Sequence, residues 1–164
     1  MKEDEFLKLD NQLCFALYAA SRVLTKLYGP FLAKLNLTYP QYLVMLVLWE
    51  HETLSVSDIG RLLYLDSGTL TPLLKRLEAA GLITRNRLPT DERKVMVALT
   101  PQGSAMKQQA ASVPMELFCR SGLTVEEFQA IKQNVTTLLE RMNEDVHPPD
   151  QCADTAGESK IPDR

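Results

Sequence analysis

The chain is poor in the residues that hold metals or staple small folds. It has three cysteines, Cys14, Cys119 and Cys152, and two histidines, His51 and His147. None of these has metal-ligand spacing, and three thiols do not make a disulfide framework. Long hydrophobic runs are absent too, so no membrane span is expected. Met1-Lys2-Glu3-Asp4-Glu5 is too acidic to open a secretion signal. The expected compartment is the cytoplasm, where thiols stay reduced and are either inert or redox-active. There is no Cys-x-x-Cys motif, and the two histidines fall in an apparent loop and in the tail. A thiol enzyme built on a Cys–His pair is thereby disfavoured, and no metal or cofactor is expected. An excess of positive charge is also missing, since the net charge is −3.

What is present changes that last impression. Residues 61–94 carry seven basic and four acidic side chains, a local excess of three positive charges that leaves −6 for the remainder. Phosphate binding needs such a local excess, whatever the total. The chain's 164 residues fit one domain plus a dimerisation layer.

Apolar positions from about Phe6 to Tyr28 recur at helical spacing without Pro or Gly, which predicts a long amphipathic helix broken or kinked at Gly29-Pro30. Thr38-Tyr39-Pro40-Gln41 reads as a capping box opening an apolar helix through Trp49. Ser55-Val56-Ser57-Asp58 and Asp66-Ser67-Gly68-Thr69 start two further helices separated only by Tyr64-Leu65-Asp66, a helix-turn-helix. After Gly81 the period becomes alternating. Leu82–Arg85 and Val95–Leu99 read as strands around a charged tip, residues 88–93, hence a wing. Thr100-Pro101 opens a helix toward Cys119 that Pro114 is expected to bend, and Thr124-Val125-Glu126-Glu127 caps a last helix. From Val146 onward no apolar period remains, and residues 146–164 read as a disordered tail. The fold class is mostly α (α+β), a winged helix-turn-helix over residues 37–100 between outer helices.

A helix entering the major groove carries short polar side chains at its start, and Ser67, Thr69 and Thr71 fit that role. Lys75 and Arg76 farther along, Arg85 on the first strand, and Arg93 and Lys94 near the hairpin tip suit phosphate or the minor groove. A solvated charged face explains the same residues, but the hairpin immediately after the helix pair favours DNA.

Cys14 lies on the apolar face of the first predicted helix. A small buried hydrophobe is the ordinary role of such a residue. With Asp10 as cap, however, the positive end of the helix would favour a thiolate there. Tyr18 lies one turn on. Tyr28 faces the same way as Cys14 but about 21 Å along the axis, at ~1.5 Å per residue. Tyr28 could reach Cys14 only of an antiparallel partner, and there Tyr28 and Tyr39 hydroxyls would stabilise a thiolate. Phe15, Phe31, Leu35, Met45 and Trp49 are candidates for an apolar substrate pocket or for ordinary core.

The segments Ala79-Ala80-Gly81-Leu82-Ile83-Thr84-Arg85, Asp91-Glu92-Arg93 and Leu99-Thr100-Pro101-Gln102-Gly103 resemble the MarR family of winged-helix regulators. Asn11 to Tyr18 and Leu37-Thr38-Tyr39-Pro40-Gln41-Tyr42-Leu43 resemble its organic-hydroperoxide-sensing, OhrR-type branch, in the two-cysteine subtype. The resemblance implies a homodimer whose outer helices, residues 1–36 and 101–145, intertwine and which reads a palindromic DNA operator. It also implies Cys14 as peroxidatic cysteine, Tyr28 and Tyr39 supplied across the dimer, and Cys119 as resolving cysteine. By the residues alone Cys119 also reads as a core cysteine beside Phe118, and Cys152 as incidental; the oxidised Cys14 is expected to condense with Cys119 of the partner or with a small thiol. The expected function is a repressor released when an organic hydroperoxide oxidises Cys14. The alternative is a MarR-type repressor released by a small aromatic ligand, with Cys14 inert.

Overall fold

Helix α3 (Tyr39–His51) is apolar nearly all round, and Val44, Met45 and Leu48 on it have no exposed surface. A helix of that kind sits at the centre of a core, with other elements packed about it. The computed structural model describes residues 3–88 and 91–146, in two units, 1–121 and 122–164. In the first unit, α4 (Val56–Leu63) contributes Ile59, α5 (Ser67–Ala79) contributes Leu70, Leu74 and Leu77, and the sheet contributes Ile83 and Val97. The sheet is antiparallel in the order β1-β3-β2, from β1 (Thr53–Ser55), β2 (Ile83–Leu88) and β3 (Asp91–Leu99). Register pairs Ile83 with Leu99, Arg85 with Val97 and Leu54 with Val97. The fold is mostly α with a small sheet, as expected.

Four local readings need correction. The first long helix, α2 (Leu13–Lys34), starts seven residues later than the apolar period implied. Ahead of it lie a short helix α1 (Glu3–Phe6) and a 3₁₀ turn at Leu9–Asn11. There Asn11 Nδ2 donates to the Glu5 carbonyl at 2.7 Å and Gln12 Nε2 to the Phe6 carbonyl, so side chains take acceptors that a continuous helix would use. Second, α2 continues through Gly29-Pro30. Pro30 removes one ladder bond, but burial of Phe31, Leu32 and Leu35 just beyond it holds the last turn in place. That turn closes with Asn36 in the left-handed region (φ 53°) and Leu37 N–H donating to the Leu32 carbonyl at 3.0 Å.

Third, the wing strands are longer than their apolar cores. Leu88 and residues 91–93, expected in the tip, belong to the strands, and residues 89–90 lie outside the described residues. Fourth, the helix toward Cys119 is two helices, α6 (Pro101–Ala110) and α7 (Val113–Ser121). Pro114 stands in the first turn of α7, where its missing N–H costs little, and bends nothing. β1 carries no signal that the sequence pattern revealed. The second unit contains α8 (Val125–Val146), capped by Thr124 N–H donating to Glu127 Oε2 at 2.8 Å and Glu127 N–H to Thr124 Oγ1 at 3.2 Å. The expected tail, with His147 and Cys152, lies outside the described residues beyond Val146.

Gly103 is where α6 meets the base of the wing. A Cβ there would stand 2.0 Å from the Leu82 carbonyl oxygen, which is backbone and cannot step aside. Gly103→Ala is therefore expected to destabilise the chain by about 2–3 kcal/mol, lowering Tm by roughly 5–10 °C. A thermal melt superimposable on that of the unsubstituted chain would contradict this packing.

Candidate nucleic-acid interface and redox site

The helix pair is set by its turn. Tyr64 takes the left-handed region (φ 54°), and Leu65 N–H donates to the Gly60 carbonyl at 2.9 Å. Gly60 is needed because a Cβ would lie 2.8 Å from the Leu65 carbonyl oxygen. Ser55 caps α4, accepting from Asp58 N–H at 3.1 Å, and Asp66 caps α5, accepting from Thr69 N–H at 2.9 Å. Leu70, Leu74 and Leu77 turn inward, so the opposite face of α5 is left outside.

On that face Ser67, Thr71 and Lys75 follow one another at four-residue spacing, with Arg76 beside them. Ser67, Lys75 and Arg76 are exposed and Thr71 is half-buried. Thr69 is exposed, but its hydroxyl donates to Asp66 Oδ2 at 2.8 Å and belongs to the cap. Between the helix pair and the wing lies a cleft of about 530 Å³ that brings Ser67, Thr71, Arg85 and Lys94 together with Ser57 and Arg61. Arg85 does not stand free in it. Its Nε and Nη2 donate to Glu78 Oε2 at 2.9 and 2.6 Å, and this guanidinium holds the Glu78 carboxyl below its ordinary range. Arg93 lies on the β3 backbone, and its side chain is outside the described residues. Sequence reasoning missed Arg61 and Glu78. Arg61 donates to Asp58 at 2.9 Å, a helical spacing of three that could have been read; Glu78 pairs across a helix–strand junction that no spacing reveals.

Cys14 occupies the second position of α2, whose cap is Gln12 rather than Asp10. The first ladder bond runs from Ala16 N–H to the Gln12 carbonyl, so the N–H groups of Leu13, Cys14 and Phe15 have no acceptor within the helix. Cys14 is exposed, against the buried-hydrophobe alternative. Tyr18 is exposed one turn on, its hydroxyl accepting from Arg22 Nη1 at 3.2 Å. Tyr28 and Tyr39 do meet, with ring centroids 4.8 Å apart, and Tyr42 lies 5.9 Å from Tyr28. Burial first, and then the neighbouring Tyr39 and Tyr42, push the Tyr28 hydroxyl up to about 12. Burial raises Tyr39 as well. On one continuous helix, fourteen residues separate Cys14 from Tyr28 by about 21 Å. One chain therefore assembles the tyrosines but not the thiol with them.

Cys119 is exposed on α7, not a core residue beside Phe118. It borders a cavity of about 300 Å³ with Phe31, Met115, Glu116 and Arg120, the Arg120 guanidinium lying 5.5 Å above the Phe31 ring. The five residues named for an apolar pocket are not brought together: Phe31, Leu35, Met45 and Trp49 belong to the core, whereas Phe15 is exposed near the start of α2. Among the described residues no three His, Cys, Asp or Glu side chains could share a metal ion, and no single helix is long and apolar enough to cross a membrane.

The tyrosine cluster makes a titration prediction. Below pH 10 both folded and unfolded chains keep the Tyr28 proton; between 10 and about 12 the unfolded chain loses it first, so stability falls as pH rises through that window. A rapid pH-jump titration at the phenolate band is expected to show a tyrosine ionising near 12 that Tyr28→Phe lacks. Identical curves would contradict the assignment.

Residues 26–110 match a family profile described as transcriptional regulator SarA/Rot. Over 140 residues, 85% of this chain and 95% of the relative, the sequence is 52% identical to an organic hydroperoxide resistance transcriptional regulator of Bacillus subtilis (strain 168). Four solved structures of AbfR, a protein of Staphylococcus epidermidis, share the fold. Reduced AbfR bound to DNA gives a TM-score of 0.73 at 36% identity, over 90% of this chain and 100% of that one. Overoxidised AbfR bound to DNA gives 0.68 at 37%, over 87% and 99%. Disulfide-formed AbfR gives 0.56 at 35%, over 88% and 96%. Apo MarR from E. coli gives 0.63 at 25%, over 78% of this chain and 96% of that one. Relatives and fold are those of transcriptional regulators, not enzymes. With its helix-turn-helix, wing and flanking helices, the chain belongs to the MarR family of winged-helix transcriptional regulators, in the organic-hydroperoxide-sensing, OhrR-type branch.

Proposed function

We propose that the chain is a homodimeric repressor that holds a palindromic operator while Cys14 is reduced and leaves it when an organic hydroperoxide oxidises that thiol. The observation that carries this reading is the division of one site along α2: an exposed Cys14 at its start and the Tyr28–Tyr39 pair near its end. Two antiparallel copies would complete two such sites. Leu13, Val23 and Leu24 on α2 and Ile131, Val135, Leu139 and Met142 on α8 are exposed apolar residues at helical spacing, the surface a dimer of the helices in 1–36 and 101–145 would cover. Each recognition helix α5 then serves one half-site, about one DNA turn from the other.

The chemistry starts from the thiol. The Cys14 thiolate attacks the distal oxygen of ROOH, the O–O bond breaks, and Cys14–SOH and an alkoxide result, the latter leaving as ROH once protonated. The Cys119 thiol of the partner then displaces hydroxide, which leaves as water, and a disulfide forms. That bond requires Cα atoms within about 7 Å, so helices must move to make it. Moving helices that carry the winged domains changes the spacing of two recognition helices that must fit in register. AbfR supports the direction of this argument. Its overoxidised form is described on DNA, and its disulfide form matches this chain less well than the reduced one, 0.56 against 0.73. A crosslink, rather than oxidation alone, is the releasing event on this reading.

The rival, release by a small aromatic ligand with Cys14 inert, has a foothold of its own. A cavity of about 360 Å³ between α3 and α6–α7 is lined by Tyr42, Leu46, Trp49, Ala110, Ala111 and Pro114, with Glu50 and Lys107.

The two readings separate in one experiment, on a duplex that the reduced chain selects from a random-sequence library. Stoichiometric cumene hydroperoxide is expected to release the unsubstituted chain and leave Cys14→Ser bound. Non-reducing gels are expected to show a crosslinked dimer that Cys119→Ser does not form. Release of Cys14→Ser as readily as the unsubstituted chain contradicts the thiol mechanism and favours the ligand-released repressor.

A further inference from the structure

An ion pair joins the recognition helix to the wing, and its geometry leaves something over. Glu78 stands in the last turn of α5 and Arg85 on β2, with 36% and 23% of their side chains exposed. Glu78 Oε2 accepts from both Nε and Nη2 of Arg85, at 2.9 and 2.6 Å. Two nitrogens held by one oxygen fix the plane of the guanidinium. The third nitrogen, Nη1, makes no hydrogen bond among the described residues.

Arg85 also lines the cleft between the helix pair and the wing, with Ser57, Arg61, Ser67, Thr71 and Lys94. Among the described residues no carboxylate lines that cleft. With Ser55, three cations and four hydroxyls surround this concave space and suit phosphodiester oxygens, which take charge-assisted bonds from Arg and Lys and neutral ones from Ser and Thr. Glu78 by itself is out of place here, since an acid beside a DNA-binding face repels the backbone. Its position makes sense if it acts on Arg85. A free arginine loses rotamer entropy on meeting a phosphate, whereas one already held has lost it on folding.

We propose that Glu78 is a positioning residue for operator binding: by holding two nitrogens of Arg85 it directs the third to one DNA backbone phosphate seated in the cleft between recognition helix and wing. This rests on the reading of the chain as a DNA-binding regulator with α5 in the major groove. The seated phosphate would touch both elements, so helix and wing would engage the duplex as one unit.

The test is a double-mutant cycle read by fluorescence anisotropy on the selected duplex, repeated across a salt series. Glu78→Gln removes a negative charge and by charge alone would tighten binding; the proposal expects it to weaken binding about fivefold, part of the loss expected for Arg85→Ala. In the Arg85→Ala background the sign reverses, because there Glu78 only repels DNA, and Glu78→Gln tightens binding. Arg85→Ala lowers the log–log salt slope by about one. Arg85→Lys keeps the charge and the pair to Glu78 but has no second edge, and is expected to bind about as weakly as Glu78→Gln.

Equal or tighter binding by Glu78→Gln overturns the proposal, as does a weakening that persists in the Arg85→Ala background. If circular dichroism shows Glu78→Gln misfolded, Arg85→Lys decides, and binding equal to the unsubstituted chain overturns the proposal. A wild-type chain that selects no duplex from the library contradicts the DNA-binding reading itself, an outcome distinct from these.

Discussion

Three elements meet at the peptide of Gly103. Its Cα lies against the Leu82 carbonyl at the root of the wing, its N–H donates to the Thr100 hydroxyl at 3.0 Å, and its carbonyl accepts from Trp49 Nε1 at 2.9 Å. Thr100 Oγ1 in turn donates to the Gly81 carbonyl at 2.6 Å, and Lys107 Nζ to the Trp49 carbonyl at 2.8 Å. The buried indole N–H thereby finds its partner, and α3, α6 and the base of the wing become one packed body. The DNA-facing surface depends on that body, and so would the proposed thiol chemistry. The recognition helix holds its angle to the wing because both are fixed to it, and α6 leads on to α7, which carries Cys119. On the proposed mechanism, a displacement of α7 would be passed to this body as a rigid-body movement, because a packed core shifts between discrete arrangements and does not bend continuously.

Electrostatics divides the chain along the same lines. Basic side chains gather where α5 and the wing face outward, and the two acids of that region with the clearest roles, Asp66 and Glu78, are engaged by a helix cap and by Arg85. The redox half is built instead from burial and helix ends. Tyr28 and Tyr39 are shielded enough to stay protonated far above neutral pH, so they are donors of hydrogen bonds and not anions. Donors of that kind complement a thiolate, and Cys14 stands at the end of a helix whose free N–H groups do the same.

The legible parts of this structure are those with local causes. Thr38–Gln41, Ser55–Asp58, Asp66–Thr69, Thr100-Pro101 and Thr124–Glu127 each start a helix where their side chains promised one, because a cap needs only the next three residues. What escaped has a distant partner. β1 is three residues long and exists because β3 offers it a ladder. α2 survives Gly29-Pro30 because Phe31 and Leu32 are buried by elements far along the chain. It fails to reach back to Phe6 because Asn11 and Gln12 capture carbonyls. Tyr28 and Tyr39 were legible as hydroxyl donors near one helix end, and the family resemblance gave them their role, whereas Glu78 could not be expected at all, since its role arises only when strand folds against helix. Spacing assigned Thr69 and Arg85 to DNA without showing that the first caps its helix and the second is already held.

The central claim is that the thiol of one chain is served by the tyrosines of another. Heterodimers of a Cys14→Ser chain with a Tyr28→Phe/Tyr39→Phe chain test it most directly, with the rate of sulfenic acid trapping after organic hydroperoxide as the reading. The single remaining Cys14 sits on the chain without those tyrosines and faces a partner that has both. The account predicts that it reacts at the rate of the unsubstituted dimer, while the Tyr28→Phe/Tyr39→Phe homodimer reacts more slowly. A heterodimer as slow as that homodimer would contradict it.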